Sequence, residues 1–364
     1  MRQRIGPAQA FGRHRYGVYG VHVTSDWPFD FPPPRSQPTP LADVAIVRGS
    51  DDDFALVGES NTETAGEGYV FRDLPDGSSY FRWFGLFEFK ADADGSRVAC
   101  RALNGSDANV LQNFLFGRAL SFALTRQGIA CWHAAVVRIG DAAAGFLGDC
   151  CYGKSTLLAA FLRAGCRLLT DDLLVIDSRD GRPVAVPGSG RVKLRPDSAE
   201  AFWGDVSEGT PLFPATTKRS YRIGANRFQS TGLPLTHLYV LPTPDEREGA
   251  GSMEIQSQSP RALVHELLKN SFNADVLDRQ RLSRQFVSAT ELAGCVRGFK
   301  LQYRPGMHHL PELCDRILKH VTSSSRRISD DSARQADVFR TGEAEAVQHA
   351  PTDQLWPHQG HRSG

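Results

Sequence analysis

Apolar and polar positions change their period several times along the chain, and each change marks an element. Tyr16-Gly-Val-Tyr-Gly-Val-His-Val23 alternates in the manner of a strand. Strand-like pieces follow at Val44–Val47, Tyr69–Arg72, Tyr80–Phe89 and Arg97–Leu103, with turn signals such as Pro75-Asp76-Gly77 and Asp94-Gly95 between them. These make a β-rich N-terminal module. Its aromatic set, Tyr80, Phe81, Trp83, Phe84, Phe87 and Phe89, reads as sheet core, because aromatic residues favour strands and bury large areas. From about Ala108 to Gln127 the period lengthens to that of a helix. Ser106 or Asp107 is its candidate cap, and Val110, Leu111, Phe114, Leu115, Ala119, Leu120, Phe122 and Ala123 form its buried face.

Two apolar strands follow, Ala130–Ile139 and Ala142–Leu147, joined by Gly140-Asp141, a two-residue hairpin turn. That register sets Ile139 opposite Ala142 and carries His133 to the level of Gly148. A histidine is thereby brought beside a glycine-rich turn, either as a functional group or as a satisfied core residue. After Leu147 comes Gly148-Asp149-Cys150-Cys151-Tyr152-Gly153-Lys154-Ser155-Thr156, which fits G-x-x-x-x-G-K-[ST]. Leu157, Leu158, Phe161 and Leu162 then fall at helical spacing, and Gly165 sits where a helix-ending glycine belongs. A strand feeding such a turn into a helix N-terminus leaves backbone N–H groups converging where the helix dipole favours an anion. The pattern predicts a nucleotide triphosphate site, with Lys154 on the β- and γ-phosphates and the Ser155 hydroxyl on Mg²⁺.

Cys166 to Asp177 reads as an apolar strand interrupted by Asp171-Asp172. Asp is common in solvated turns. Apolar residues on both sides favour a site instead, in which one acid serves Mg²⁺ and the other takes a proton from an attacking hydroxyl.

Composition narrows the surroundings. The 364 residues suggest about two domains, and 42 basic against 41 acidic residues give no field that points to nucleic acid or an anionic membrane. No apolar run is long enough to span a bilayer, and Met-Arg-Gln-Arg-Ile lacks the core of a signal peptide. Seven cysteines without a regular framework fit a reducing cytoplasm. No C-x-x-C pair supports a structural zinc. Residues 323–364 are polar and read as a disordered tail, and residues 1–15 as a basic N-terminal extension.

His133, the loop from Gly148 to Ser155 and Arg167-Leu-Leu-Thr-Asp171-Asp172 together resemble the catalytic domain of HPr kinase/phosphorylase. They resemble still more its bacterial relatives, the HPr-kinase-like serine kinases that include lasso peptide kinases. Pro187-Gly188 through Leu194-Arg-Pro196-Asp197-Ser198, Leu233-Pro234-Leu235 through Tyr239-Val240-Leu241, Ser259–Phe272 and Ala289–Tyr303 resemble further segments of that branch. The resemblance implies an α/β fold with a P-loop kinase-like catalytic domain over residues 107–322, preceded by the β-rich module over 16–106. It also implies ATP-dependent phosphorylation of a serine hydroxyl in a peptide or protein. The proton-accepting aspartate corresponds to Asp172, with His133 and Lys154 in the active site. Ser155 corresponds to the metal-binding serine, and Asp171 is the candidate metal partner, either directly or behind a direct ligand. No nucleic acid or membrane partner is implied, and a homo-oligomer is compatible.

Three departures accompany the resemblance. Cys150-Cys151-Tyr152 replaces the permissive residues of the loop, and Cys151 puts a Cβ where the backbone must approach phosphate or turn with positive φ. The family's downstream metal carboxylate has no clear counterpart, with Asp197 as a stand-in, and its catalytic arginine segment is not recognisable among Arg219, Arg222 and Arg227. An ATP-binding regulator with a degenerate loop, and a small-molecule kinase or NTPase, therefore stay open. A thiol beside Lys154 and a helix N-terminus is expected to have a lowered pKa, unless Cys150 and Cys151 simply pack as small apolar residues.

Overall fold

The computed structural model describes residues 14–29, 31, 40–57, 68–83, 86–103, 108–204, 209–212, 216–248, 252–273 and 279–323. Most of the basic N-terminal extension, the helix-capping candidates Ser106 and Asp107, Phe84, and the tail beyond residue 323 lie outside them. The chain divides into two units, Met1–Ile317 and Leu318–Gly364. Of the second, residues 318–323 are helical. The first carries everything discussed below and is a mixed α/β structure of several sheets.

Its first sheet has seven strands: β1 (His14–Val18), β2 (Val21–Ser25), β3 (Asp43–Arg48), β4 (Tyr69–Asp73), β5 (Ser79–Trp83), β6 (Phe87–Ala91) and β7 (Arg97–Ala102), ordered β1-β2-β3-β7-β6-β5-β4. Two stretches expected as single strands are hairpins. Val18 pairs with Val21, and Tyr19 and Gly20 turn the chain at φ 54° and 75°. The alternation shifts by one across this turn, since Val18 and Val21 face each other three residues apart, and the apolar Tyr19 in the turn masks the shift. Likewise Tyr80–Phe89 divides, with Trp83 opposite Phe87 and the Leu86 N–H closing on the Trp83 carbonyl. Tyr80, Phe81, Phe87 and Phe89 are buried in the sheet.

The long helix is α-helical over Ala108–Phe114 and Leu120–Arg126, with a π-turn over Leu115–Ala119 between them. Apolar residues cover it almost all round, so it is buried rather than half-exposed. Leu111, Leu115, Leu120 and Leu124 belong to one apolar cluster with Phe81, Phe87 and Val98 of the first sheet and with Cys131, Leu173 and Val175 beyond it. The helix is therefore a shared core element, and its π-turn brings Gly117 and Phe116 toward the acid pair.

The second sheet contains β8 (Cys131–Ile139), β9 (Ala142–Leu147), β10 (Arg167–Thr170), β11 (Leu173–Arg179) and β12 (Arg182–Ala185). A small sheet interrupts the order with β13 (Arg191–Leu194), β14 (Thr210–Pro211) and β15 (Arg219–Arg222). The second sheet then resumes with β16 (Leu233–Val240), β17 (Glu254–Gln258) and β18 (Arg297–Gln302). The β8–β9 hairpin has Ile139 opposite Ala142 and Ala134 opposite Leu147, the expected register. β9 and β18 flank β16 in parallel. After β9 the helix Lys154–Arg163 ends in a Schellman motif, with the Cys166 N–H on the Phe161 carbonyl and the Gly165 N–H on that of Leu162.

That helix is fixed to the sheet by an aromatic column. Phe161 stacks on Phe146 of β9 at 5.2 Å, Phe146 on Tyr239 of β16 at 5.6 Å, and Tyr239 on Phe299 of β18 at 5.4 Å. Phe146, Phe161 and Tyr239 are fully buried. Removing the middle ring would leave a cavity beneath the helix. Phe146→Ala should lower unfolding free energy by about 3–5 kcal/mol, read from urea denaturation. A loss below about 1 kcal/mol would show that the column does not hold the helix.

Candidate functional site

The glycine-rich turn is anchored at its first residue. The Gly148 N–H donates to Asn270 Oδ1 at 2.9 Å, and the Asn270 carbonyl accepts from the His133 N–H at 2.7 Å. One asparagine thus ties the start of the turn to His133 on β8. The turn itself is closed by the Tyr152 N–H on the Asp149 carbonyl at 3.2 Å. Cys151 stands at φ 69° and Gly153, the helix N-cap, at φ 84°. The positive φ foreseen as a difficulty for Cys151 is present, at a residue with a Cβ. Asp149, Cys150 and Cys151 are exposed, whereas Tyr152 and Thr156 are partly buried.

Lys154 opens the helix and is 6% exposed. Its ammonium donates back to the carbonyls of Gly148, at 2.5 Å, and Asp149, at 3.0 Å. The turn is thereby wrapped around the lysine, with the first-turn N–H groups of the helix beside it. Arg247 closes the outer side. Its guanidinium donates to the Tyr152 carbonyl and lies 5.3 Å from the centre of the Tyr303 ring.

The acid pair sits in a break within one strand path. β10 and β11 both run antiparallel to β8, with Thr170 opposite Val136 and Leu173 opposite His133. Residues 171–172 bulge between them. Thr170 Oγ1 donates to the Leu173 carbonyl at 2.7 Å, pinning the bulge, and Asp172 is held at φ 78°. Left-handed backbone at a non-glycine residue costs energy and is concentrated at functional sites.

The bulge turns the two carboxylates onto different partners. Asp171, 6% exposed, accepts the Lys193 N–H at 2.9 Å, and its two oxygens lie 3.4 and 3.5 Å from Ser155 Oγ. Asp172 lies with one oxygen 3.1 Å from His133 Nε2 and the other 2.6 Å from Lys193 Nζ. Four sequence candidates, His133, Ser155, Asp171 and Asp172, are therefore in contact through their side chains or through Lys193.

Burial opposes charge on both acids, and the neighbours decide the outcome. Around Asp172 the Lys193 ammonium and the His133 hydrogen bond outweigh burial and hold the carboxyl well below its ordinary value. Asp171 goes the other way. Burial and the Asp172 charge raise it, against the Lys193 N–H and the nearby lysines. Burial lowers Lys154, although both carboxylates favour its charged form.

Lys193 was not among the sequence candidates. Its signal was the alternation Arg191-Val192-Lys193-Leu194. Val192 and Leu194 are buried, which leaves Arg191 and Lys193 together on the opposite side of β13. Tyr19, also unforeseen, reaches the same place from the N-terminal hairpin. Its N–H donates to the Pro187 carbonyl at 2.9 Å, its hydroxyl bonds Ser189, and burial raises its phenol. With Phe31, Gln112 and Phe116 it lines a cleft that opens onto Asp171, Asp172 and Lys193.

Asp197, the stand-in for a second metal carboxylate, bonds Arg195 and Ser198, and no group of three or more acidic, histidine or cysteine ligands occurs among the described residues. One expectation is corrected: the Cys150 thiol is raised, not lowered. Partial burial of its sulfur and the adjacent Cys151 outweigh Lys218 and Lys154. Arg219 is occupied by the Gly209 carbonyl, within the small sheet. The Arg227 carbonyl holds β10 through the Leu168 N–H.

No protein-family model matches the chain, and no curated protein matches it. Among solved structures, the Hpr(Ser) kinase/phosphatase from Coxiella burnetii aligns over 54% of this chain and 98% of its own. The identity is 13% and the TM-score 0.31. A score that low carries no argument about family or activity. No helix among the described residues is long and apolar enough to cross a membrane.

Two solution measurements follow from these charges. Because the Asp172 carboxyl is depressed in the fold, its ion pairs stabilise above the unfolded carboxylate value near 4 and are lost as pH falls through the lower folded value. Asp172→Asn should therefore cost roughly 1.5–3 kcal/mol at pH 6, a gap that closes toward pH 2. A gap independent of pH would remove the ion-pair assignment. A raised Cys150 thiol should alkylate with iodoacetamide slowly at pH 7 and speed up as pH passes its ordinary value. Fast labelling at neutral pH, read by peptide mass spectrometry, would reverse that direction.

Proposed function

We propose that the chain is an ATP-dependent kinase that transfers the γ-phosphoryl group to a serine hydroxyl of a peptide or protein. A lasso peptide precursor is the acceptor to try first. The observation that supports this reading is the pairing of Asp172, strained and bracketed by His133 and Lys193, with Asp171 set against Ser155 at the start of the Lys154 helix. One acid is directed toward the cleft and its cations, the other toward the glycine-rich turn.

The donor set suits a hard cation that keeps phosphate and water among its ligands. Mg²⁺ characteristically takes one or two carboxylates together with substrate phosphates, and Ser155 and Asp171 offer a hydroxyl and a carboxylate side by side. When bound there it would neutralise charge on the phosphate oxygens. Lys154 would exchange the carbonyls of Gly148 and Asp149 for phosphate oxygens, with the first-turn N–H groups adding fixed dipoles. Asp172, kept ionised, would orient the serine hydroxyl and accept its proton, and His133 would hold the carboxylate in place.

A second reading, an ATP-binding regulator, draws on the loop. Cys151 at positive φ and a lysine tied to loop carbonyls describe a turn that must rearrange before it takes a triphosphate. Transfer of label from γ-labelled ATP separates the readings. The kinase labels a peptide acceptor, the regulator labels nothing, and an NTPase or small-molecule kinase labels water or a metabolite. Lys154→Ala should abolish MgATP binding, whereas Asp172→Asn should keep it and lose at least about 10²-fold in transfer. Normal transfer by Asp172→Asn would overturn the assigned role.

A further inference from the structure

Transfer of a phosphoryl group spreads negative charge over its peripheral oxygens, and a cation aimed at them supplies much of the catalysis. Arginine commonly takes that part. Here Arg219 is occupied by the Gly209 carbonyl, and Arg191 donates to Ser220 Oγ at 2.8 Å and faces Thr210 Oγ1 at 3.4 Å. A cation that does contact the acid pair is Lys193.

Several features distinguish it from an ordinary surface lysine. Its backbone is fixed, because its N–H holds Asp171 and its strand pairs with β15 from Arg191 to Leu194. Its side chain is only 28% exposed and ends 2.6 Å from Asp172 Oδ2. It lines the cleft with Tyr19, Gln112 and Phe116. The π-turn presents Gly117 to the same ammonium. A Cβ there would lie 3.5 Å from Asp172 Oδ2 and 3.6 Å from Lys193 Nζ, so a longer side chain would occupy the space in which the ammonium can move.

We propose, resting on the kinase reading, that Lys193 is a catalytic cation that exchanges Asp172 for the γ-phosphoryl oxygens when nucleotide binds. In the nucleotide-free protein Lys193 is paired with Asp172 at 2.6 Å. When it turns to the phosphoryl oxygens, that oxygen of Asp172 is freed to meet the acceptor hydroxyl. The acceptor oxygen then forms its bond to the γ-phosphorus, and the bond from that phosphorus to the β,γ-bridging oxygen breaks. ADP leaves with the electron pair, and the acceptor proton passes to Asp172.

The test compares the full chain with Lys193→Met and Lys193→Arg, using fluorescent MgADP titrated with and without aluminium fluoride. That complex imitates the transferring phosphoryl group, and such analogues bind at least about 10²-fold more tightly than ground-state ligands. Lys193→Met should bind MgADP within about threefold of wild type and lose about 10²-fold of the fluoride-dependent tightening. Lys193→Arg, which keeps a cation, should retain most of it. Unfolding of Lys193→Met would show as loss of MgADP binding, and Lys193→Gln, which removes the charge but keeps a polar end, then takes its place, with wild-type tightening in it overturning the role of Lys193. Wild-type tightening preserved in Lys193→Met overturns the role of Lys193 and leaves the kinase reading intact. Absence of tightening in the wild type overturns that reading and the proposal together.

Discussion

Two adjacent carboxylates cannot both remain charged in a buried strand break unless cations and donors are built around them. Unscreened, two such charges repel strongly, and desolvation penalises each. Here the protein meets the constraint unequally. Asp172 receives an ammonium and an imidazole nitrogen, and Asp171 a backbone N–H and a neighbouring hydroxyl. Much of the surrounding architecture serves that inequality. β13 must lie against the bulge to bring in Lys193 twice, through its N–H and its side chain. β8 must pair with both β10 and β11 to leave the bulge opposite His133.

The same constraint explains why irregular backbone gathers in this region. Asp172 and Cys151 have positive φ without being glycine, and the buried helix changes to a π-turn where Gly117 approaches the acid pair. Each departure costs stability, and π-turns inside helices occur frequently at functional sites. The cost is carried by regular packing elsewhere. The column Phe161–Phe146–Tyr239–Phe299 and the apolar cluster around Leu111, Leu115 and Leu120 hold the elements on either side of the irregular segments.

Local periodicity and turn chemistry made much of this legible in the sequence. The β8–β9 register, the helix after Gly153 with its glycine stop, and the interrupted strand around Asp171-Asp172 all follow from neighbours in the chain. The hairpin after Trp83 is hidden because Trp83 and Phe87 face each other four residues apart and keep the alternation in phase, and the one at Tyr19-Gly20 because the apolar Tyr19 masks a one-residue shift. Partners distant in sequence were less visible. Lys193, Asn270 and Tyr19 reach the site by tertiary pairing, from 21, 122 and more than a hundred residues away from the groups they serve. The Cys150 thiol was misjudged for a related reason. Lys154, near it in the chain, favours the thiolate, but partial burial of the sulfur and the neighbouring Cys151 prevail.

Charge balance ties the acid pair to the glycine-rich turn. In the proposed kinase, Asp171 and Asp172 face Lys154 and Lys193 before nucleotide enters, so these two lysine charges are already matched by carboxylates. Helix N–H groups alone offset only about half an elementary charge. On the proposed kinase reading, a bound triphosphate would draw Lys154 from the loop carbonyls and Lys193 from Asp172, with a divalent cation beside Asp171. The raised Asp171 carboxyl is consistent with that order, since a bound cation would supply the charge its buried setting lacks. On this reading nucleotide, metal and the freeing of Asp172 are one linked event. In the proposed kinase an acceptor hydroxyl would meet its base only when the phosphoryl group is already in place, which would protect ATP from premature reaction with water.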